Sequence, residues 1–397
     1  MPLLINGDDT IISGHVVWEA ARKLGFDSIP CIPIEHLDEL EAEALALALN
    51  RLGETGSWDI ELLSERMIVL DRAGIELVST GFSLPEVDQI MIAGSAEDKD
   101  QSDTEEDTGI PEDQVSSVQL GDLFELGPHR LLCGDALDNA SYECLLEGHQ
   151  ADCVVSDSPF NCPISGFVSG LGKHKHDDFK EAVGEMSDEE FLTFLRTWLG
   201  HCKASTCAGA IVFAFSDWRQ IEKLLIAGDE VGFTRKNVAV WNKGGGGAMG
   251  SLYRSAHEFI AVLCNGRTPK TNNIELGRHG RNRSNVFCYP GANRPGTSAA
   301  DALADHPTPK NLEMIEDMLL DVTNRGDIVL DPFLGSGTTL IAAENTQRIC
   351  AGIELEPKYV DRAIRRWENL TGEEAIHTRT GLTFSELIRK RISEQGS

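Results

Sequence analysis

Two short stretches carry the residue types that reactive sites use. In "ADCVVSDSPF", residues 151–160, an apolar run breaks into Asp157, Ser158, Pro159 and Phe160: a carboxylate acceptor, a small polar residue, a rigid ring and an aromatic face in succession. In "DIVLDPFLGSGTTLIAAENTQRICAGIEL", residues 327–355, a β-branched run passes through Asp331 and Phe333 into Gly335, Gly337 and Thr338, then into helical periodicity, and the next apolar run ends at Glu354. Glycines at such a junction allow a tight turn and close approach of a ligand to the backbone, and an acid ending the next strand suits ribose hydroxyls. A triphosphate loop would carry Lys before the Thr, whereas Gly337 is followed directly by Thr338. A dinucleotide loop prefers a third glycine, where Leu340 stands. Glu354 lies 17 residues after Gly337, a spacing compatible with a dinucleotide or with S-adenosylmethionine.

Both stretches need strands to hold them. "HRLLCGDALD" and "ADCVVSDSPF" read as strands around a helix-like "NASYECLLEG", and Ser187 with Glu190 makes a capping box ahead of a helix. "GAIVFAF" reads as a buried strand, "DWRQIEKLLIAG" as a helix, "TRKNVAVWNK" and "HEFIAVLCN" as strands, and "NLEMIEDMLLDVT" and "PKYVDRAIRRWENLTG" as helices. Strands alternating with helices predict an α/β domain, a Rossmann-like, doubly wound, mostly parallel sheet. Two strand-end sites about 178 residues apart can then face one crevice. Ahead of it, "TIISGHVVWEAARKLGFDSIPCIPI" predicts strand, helix near Val16 to Leu24, and strand, a small α+β domain followed by two acidic helices. The resulting division is 1–94 for that domain and its helical extension, 95–116 for a disordered acidic linker, 117–372 for the main domain and 373–397 for a C-terminal tail.

The net charge of −29 over 397 residues weighs against nucleic acid, yet residues 1–116 alone hold 26 acids against 6 bases. Residues 235–294 hold ten Lys and Arg against two acids, a basic island in an acidic chain. The ten cysteines include no C-x-x-C pair, which fits reduced thiols in a cytoplasmic protein. No apolar run approaches the about 20 residues of a membrane span, and the start "MPLLINGDDT" lacks the basic flank of a signal peptide. No membrane partner is expected. "GKHKHDD" offers His174 and His176, read as loop histidines rather than metal ligands.

Several matches in one order give residues 118–372 a family resemblance: "GDLFELGPHRLLCGDALD", "DSPF", "SLYRSAHEFIAVLCNG", "HPTPKN" and "DPFLGSGTTLIAAE". The chain resembles the permuted, beta-type amino-DNA-methyltransferases, N6-adenine or N4-cytosine enzymes of the class I methyltransferase fold whose catalytic strand precedes the glycine loop. The resemblance implies S-adenosyl-L-methionine as cofactor and Asp157, Ser158, Pro159 and Phe160 as the catalytic segment. The Asp157 carboxylate and the Ser158 carbonyl would accept the target amine's hydrogens, and Phe160 would stack on a base flipped from duplex DNA. Ser158 stands where the family usually has Pro, and Phe160 where it has Tyr. The same resemblance places Asp135 near the cofactor's adenine, Thr308 and Lys310 at its methionine end, and Asp331, Phe333, Gly335, Gly337, Thr338 and Glu354 around the glycine loop. Asn311 follows Lys310 where the family has Pro.

The basic stretch lies where the family carries target recognition, about 235–305, and Arg254, Arg278, Arg281 and Arg283 are the expected DNA contacts, since Arg suits phosphate or guanine. Trp218 and Trp241 are expected in the core or the cleft wall. The N-terminal unit resembles a truncated ParB-like domain, with Val17 where that family has Arg, and is expected to serve binding or assembly, a homodimer included. The combined expectation is an adenine-favouring DNA amino-methyltransferase without a nuclease in the same chain. An RNA methyltransferase and a catalytically weakened DNA-binding regulator are its rivals.

Overall fold

A computed structural model of the chain describes residues 2–7, 9–34, 36, 45, 60–75, 77–94, 116–161, 185–244, 253, 255–274, 283–291 and 310–395. Two compact units divide between Leu63 and Ser64. In the first, β1 (Leu3–Ile5) pairs antiparallel with β2 (Ile11–Ser13) and parallel with β3 (Cys31–Pro33), and α1 (His15–Lys23) links β2 to β3. The expected strand, helix and strand are present, with β1 ahead of them. Gly14 makes the corner into α1: its φ is 102°, and a Cβ there would lie 2.6 Å from Leu3 Cδ2.

The second unit is built on ten strands. They are β4 (Leu123–Leu126), β5 (His129–Cys133), β6 (Ala151–Ser156), β7 (Thr206–Ser216), β8 (Thr234–Asn242), β9 (His257–Cys264), β10 (Val286–Cys288), β11 (Ile328–Asp331), β12 (Ile349–Glu354) and β13 (Ile376–His377), in the order β10-β8-β9-β7-β6-β11-β12-β5-β4-β13. The central run β7-β6-β11-β12-β5 is parallel throughout, and antiparallel pairs flank it. This is the doubly wound α/β sheet the alternation predicts. Strand residues alternate between two cores, as the pleat requires: Cys153 and Val155 enter one, Val154 the other. The first core takes α7 (Leu312–Val322), α8 (Thr338–Asn345), α9 (Pro357–Thr371) and α10 (Phe384–Gln395). On the other face lie α4 (Asn139–Leu146), α5 (Asp188–Ser205) and α6 (Ile221–Glu230). The predicted capping box is formed, with Glu190 N donating to Ser187 Oγ and Ser187 N to Glu190 Oε2.

This topology fixes where chemistry can occur. Neighbouring strands β6, β11, β12 and β5 release Asp157, the glycine loop, Glu354 and Asp135 at one carboxyl edge. Between β6 and β11 the chain's connections diverge, β6 leading on to β7 at one side and β11 to β12 at the other. This is the switch point of the sheet, beside which open α/β sheets hold their ligands.

Two boundaries differ from those drawn on composition. Helices α2 (Ile60–Arg72) and α3 (Leu84–Gly94) were assigned to the N-terminal domain, yet the second unit begins at Ser64. Asp88 of α3 pairs with Arg325 and, at 2.9 Å, with Arg348, whose guanidinium also donates to the Thr323 carbonyl. An acid in an acid-rich stretch reads as solvated until the fold shows which cation it meets. The expected tail 373–397 likewise belongs to the sheet domain: β13 extends the sheet beside β4, and Arg391 of α10 pairs with the buried Asp122. The expected linker lies almost wholly outside the described residues.

Asp88 and Arg348 are 5% and 1% exposed, so removing one strands the other's charge in the interior. Asp88→Ala should lower stability by about 3–5 kcal/mol, read as a shifted midpoint in urea unfolding at unchanged slope.

Candidate active site

Where β6 ends, the chain leaves the sheet through Asp157 and the buried Ser158, and the half-buried Phe160 packs against the first core. Lys310 meets this segment from the start of α7. Its ammonium is 2.9 Å from Asp157 Oδ2 and 3.0 Å from Glu258 Oε2, and its side chain is 8% exposed. Lys243, just past β8, pairs with the other oxygen of Glu258. The Lys310 ammonium also lies 4.9 Å from the ring centroid of Phe215, 5.6 Å from Phe160 and 5.7 Å from Trp241. Four side chains thus form a line, Asp157–Lys310–Glu258–Lys243, of alternating charge and no net charge, with aromatic rings as its walls.

Local sequence explains how Lys310 is placed. Asn311, standing where the family has Pro, accepts at Oδ1 from Met314 N at 2.9 Å and caps α7, so the helix begins directly after the lysine. Burial alone would lower the Lys310 ammonium, but Asp157 and Glu258 outweigh it and hold it above its ordinary value. Burial raises the Asp157 carboxyl and Glu258 adds to the rise, with Lys310 opposing both. Burial would raise Glu258 too, yet Lys310 and Lys243 together draw it down to about 2.

On the neighbouring strand, β11 ends at Asp331, whose carboxylate accepts from Phe333 N at 3.0 Å and Thr339 Oγ1 at 2.6 Å. Both oxygens therefore shape the loop from within. Gly337, at φ 90°, is the N-cap of α8, and Thr338 is the first helical residue. Glu354 at the end of β12 reaches back to the loop, accepting from Gly335 N at 2.8 Å and from Glu356 N at 2.7 Å. Burial pushes Asp331 and Glu354 each up to about 7, against the hydrogen bonds that oppose it. Phe333 packs edge-on to Trp198, with centroids 5.7 Å apart. Beyond β5, Asp135 Oδ1 accepts from Leu137 N at 2.8 Å, and Gly134 N donates to the Glu354 carbonyl at 3.0 Å, tying the acid's loop to the glycine loop's neighbour.

The fold brings most of the expected residues to one edge. Asp135, Asp157, Ser158, Pro159, Phe160, Asp331, Phe333, Gly335, Gly337, Thr338 and Glu354 all follow or close the central strands there. Lys310 is expected at a cofactor's methionine end, and its ammonium engages Asp157 and Glu258. Arg283 was expected on DNA, but its guanidinium pairs with Asp317 at 2.6 Å and Asp321 at 2.8 Å on α7, and is 17% exposed. It anchors the segment before β10 to a helix, because two acids one turn apart outcompete solvent for a half-buried cation. Thr308, Arg254, Arg278 and Arg281 lie outside the described residues, as do His174 and His176. Trp241 is core and donates Nε1–H to the Tyr289 carbonyl, while Trp218 is 46% exposed. Sequence reasoning missed Glu258 and Lys243. Their only signal is one charge in or just past each strand, at the same end of the β8–β9 pair, beside the apolar runs "VAVW" and "FIAVLC".

Comparison with known proteins gives an independent result. A family model described as DNA methylase, of the N6/N4 methyltransferase type, matches residues 151–365. The chain is similar to the type II methyltransferase M.HpaI of Haemophilus parainfluenzae, 25% identical over 67% of this chain and 83% of that one. Among solved structures it is similar to TTHA0409 of Thermus thermophilus complexed with S-adenosyl-L-methionine, at 21% identity and TM-score 0.44, covering 62% of this chain and 96% of that one. The cytosine-N4-specific PvuII DNA methyltransferase matches at 17% identity and TM-score 0.43, covering 59% and 84%.

The glycine loop has little room for change. A Cβ at Gly337 would lie 2.9 Å from Ala363 Cβ on α9, at a φ that side chains rarely adopt. Gly337→Ala should cost about 1–3 kcal/mol in thermal unfolding, with the loss centred on the α8–α9 contact in hydrogen exchange.

Proposed function

The chain belongs to the N6/N4 DNA methylase family, and on that premise we propose that it methylates the exocyclic N6 amine of adenine in duplex DNA, with S-adenosyl-L-methionine as donor. The observation that carries the reading is the placement of Asp157 and the glycine loop on the paired strands β6 and β11, at the same carboxyl edge.

The donor fits the residues that line this edge. Asp135, Asp157, Asp331 and Glu354 converge there, and the loop has Thr338 where a phosphate-binding lysine would stand. Such a carboxylate-lined crevice repels a pyrophosphate and welcomes a cationic ligand. Glu354, held by Gly335 N, would take the ribose hydroxyls, Asp135 the adenine end, and Phe333 the wall between them. When bound, the sulfonium supplies an electrophilic methyl group.

What the chain must add is a better nucleophile. An exocyclic amine is a weak one because its lone pair is delocalised into the base, and two acceptors on its N–H groups return density to the nitrogen. Asp157 Oδ1 and the Ser158 carbonyl are the acceptors in this reading, with Oδ2 of Asp157 held by Lys310. Phe160 would stack on the flipped base. Burial excludes water and strengthens each of these hydrogen bonds, so orientation and electrostatics supply the rate without a covalent intermediate. The basic residues Arg254, Arg278 and Arg281 would meet the DNA backbone or base edges.

Long-read sequencing of DNA from cells producing the protein tests the whole reading. N6-methyladenine at one motif is the expected outcome. N4-methylcytosine would move the target to the other base, methylated RNA alone would move it to another nucleic acid, and cofactor binding without any transfer would leave a DNA-binding regulator. Asp157→Ala should reduce transfer by about 10³-fold or more while leaving cofactor affinity within about twofold in calorimetry. The affinity itself should depend on pH. Burial pushes the Glu354 carboxyl up to about 7 and its ionised form is the stronger acceptor, so binding should weaken as pH falls from 8 to 6, and Glu354→Gln should flatten that dependence.

A further inference from the structure

The chain Asp157–Lys310–Glu258–Lys243 contains one more carboxylate than the reaction calls for. Glu258, the second residue of β9, is buried and stands opposite Trp241 in the β8–β9 pair. Lys310 is the ion-pair partner it shares with Asp157. We propose that Glu258 is a positioning residue for Asp157: it draws Lys310 to a place between two carboxylates, so that the ammonium orients Asp157 without cancelling it as a hydrogen-bond acceptor. This rests on the reading that Asp157 receives the target amine.

The reasoning starts from the geometry of a buried ammonium. Were Lys310 to face Asp157 alone, at 2.9 Å in a water-poor setting, the pair would neutralise each other and Asp157 would be a poor partner for an incoming amine. Glu258, at 3.0 Å from the same ammonium, divides its hydrogens and its charge. Lys243 then balances Glu258, so the line of four stays neutral and costs less to bury. The two acids respond differently. Glu258 faces two ammonium groups and falls to about 2, whereas Asp157 shares one and burial keeps it raised from its ordinary value. The charged groups that bear on Asp157 are Lys310 ahead of α7, Glu258 on β9, Lys243 after β8, and Asp331 at the end of β11. The aromatic rings of Phe160, Phe215 and Trp241 around the Lys310 ammonium hold it in place without taking its hydrogens.

Carbon-13 NMR of labelled aspartate carboxyl groups in the full chain tests this, with the Asp157 signal identified by its loss in Asp157→Asn. Glu258→Gln should move the Asp157 midpoint down, because Lys310 is then left to Asp157 alone. Lys243→Gln should move it up, because Glu258 then claims more of Lys310. A role in packing alone would not produce opposed shifts. A midpoint that stays put or rises in a cooperatively folding Glu258→Gln protein overturns the proposal. Should that variant not fold, Lys243→Gln decides, and a midpoint that stays put or falls overturns it. In methyl transfer, Glu258→Gln should lower kcat by roughly tenfold at unchanged KM for DNA, with Glu258→Asp restoring part of it. A wild-type protein that transfers no methyl group refutes the reading of the site, while the carboxyl titration still decides the role of Glu258.

Discussion

Everything at the site depends on the parallel pairing of β6 with β11. Val329 lies opposite Cys153 and Leu330 opposite Val154, and this register sets Asp157 beside the loop that follows Asp331. A slip of one residue would exchange the two faces of β6, sending Val154 into the core that now takes Cys153 and Val155, and would turn Asp157 away from the crevice. The register is held because both faces of the central strands pack into filled cores, where a slip would exchange side chains of different size and misfit both. The precision of the site is thus a property of packing that extends well beyond it.

Burial has a second effect, on charge. The carboxyl edge gathers Asp157, Asp331, Glu354 and Glu258, and each would be raised by loss of water alone. The structure treats them differently. Glu258 is given two ammonium groups, Asp157 a shared one, and Asp331 and Glu354 only neutral donors. Their acidities separate accordingly, from about 2 for Glu258 to about 7 for Asp331 and Glu354. One sheet edge thereby holds carboxylates of graded acceptor strength, a separation that follows from the different partners each is given.

The segments legible in the sequence are those where a change of pattern marks a change of structure. The break after Ser156 and the glycines after Phe333 interrupt apolar periods, and the strand ends fall there. Glu258 and Lys243 carry no such mark, since a single charge at a strand end is ordinary on a solvated sheet. The burial of Glu258, and its pairing with Lys243, follow from the β8–β9–β7 pairing and from Lys310 arriving 52 residues after Glu258 in the chain. Arg283 misleads for the complementary reason. It sits among basic loop residues, and only the spacing of Asp317 and Asp321 on a distant helix reveals its partners. Local composition reports what a residue is, whereas its partner is set by elements far away in the chain.

The order of the strands also bears on biosynthesis. β6 is made early and acquires β7 on one flank within about 50 residues, but its other partner, β11, begins only at Ile328. At typical translation rates of about 5–20 residues per second, that flank of an apolar strand waits on the order of ten seconds or longer for its partner. During this interval an open, hydrophobic edge is exposed to other chains, which is the circumstance in which holding chaperones act. A central strand that precedes its partner by so long a stretch therefore carries a cost in assembly, borne by the nascent chain.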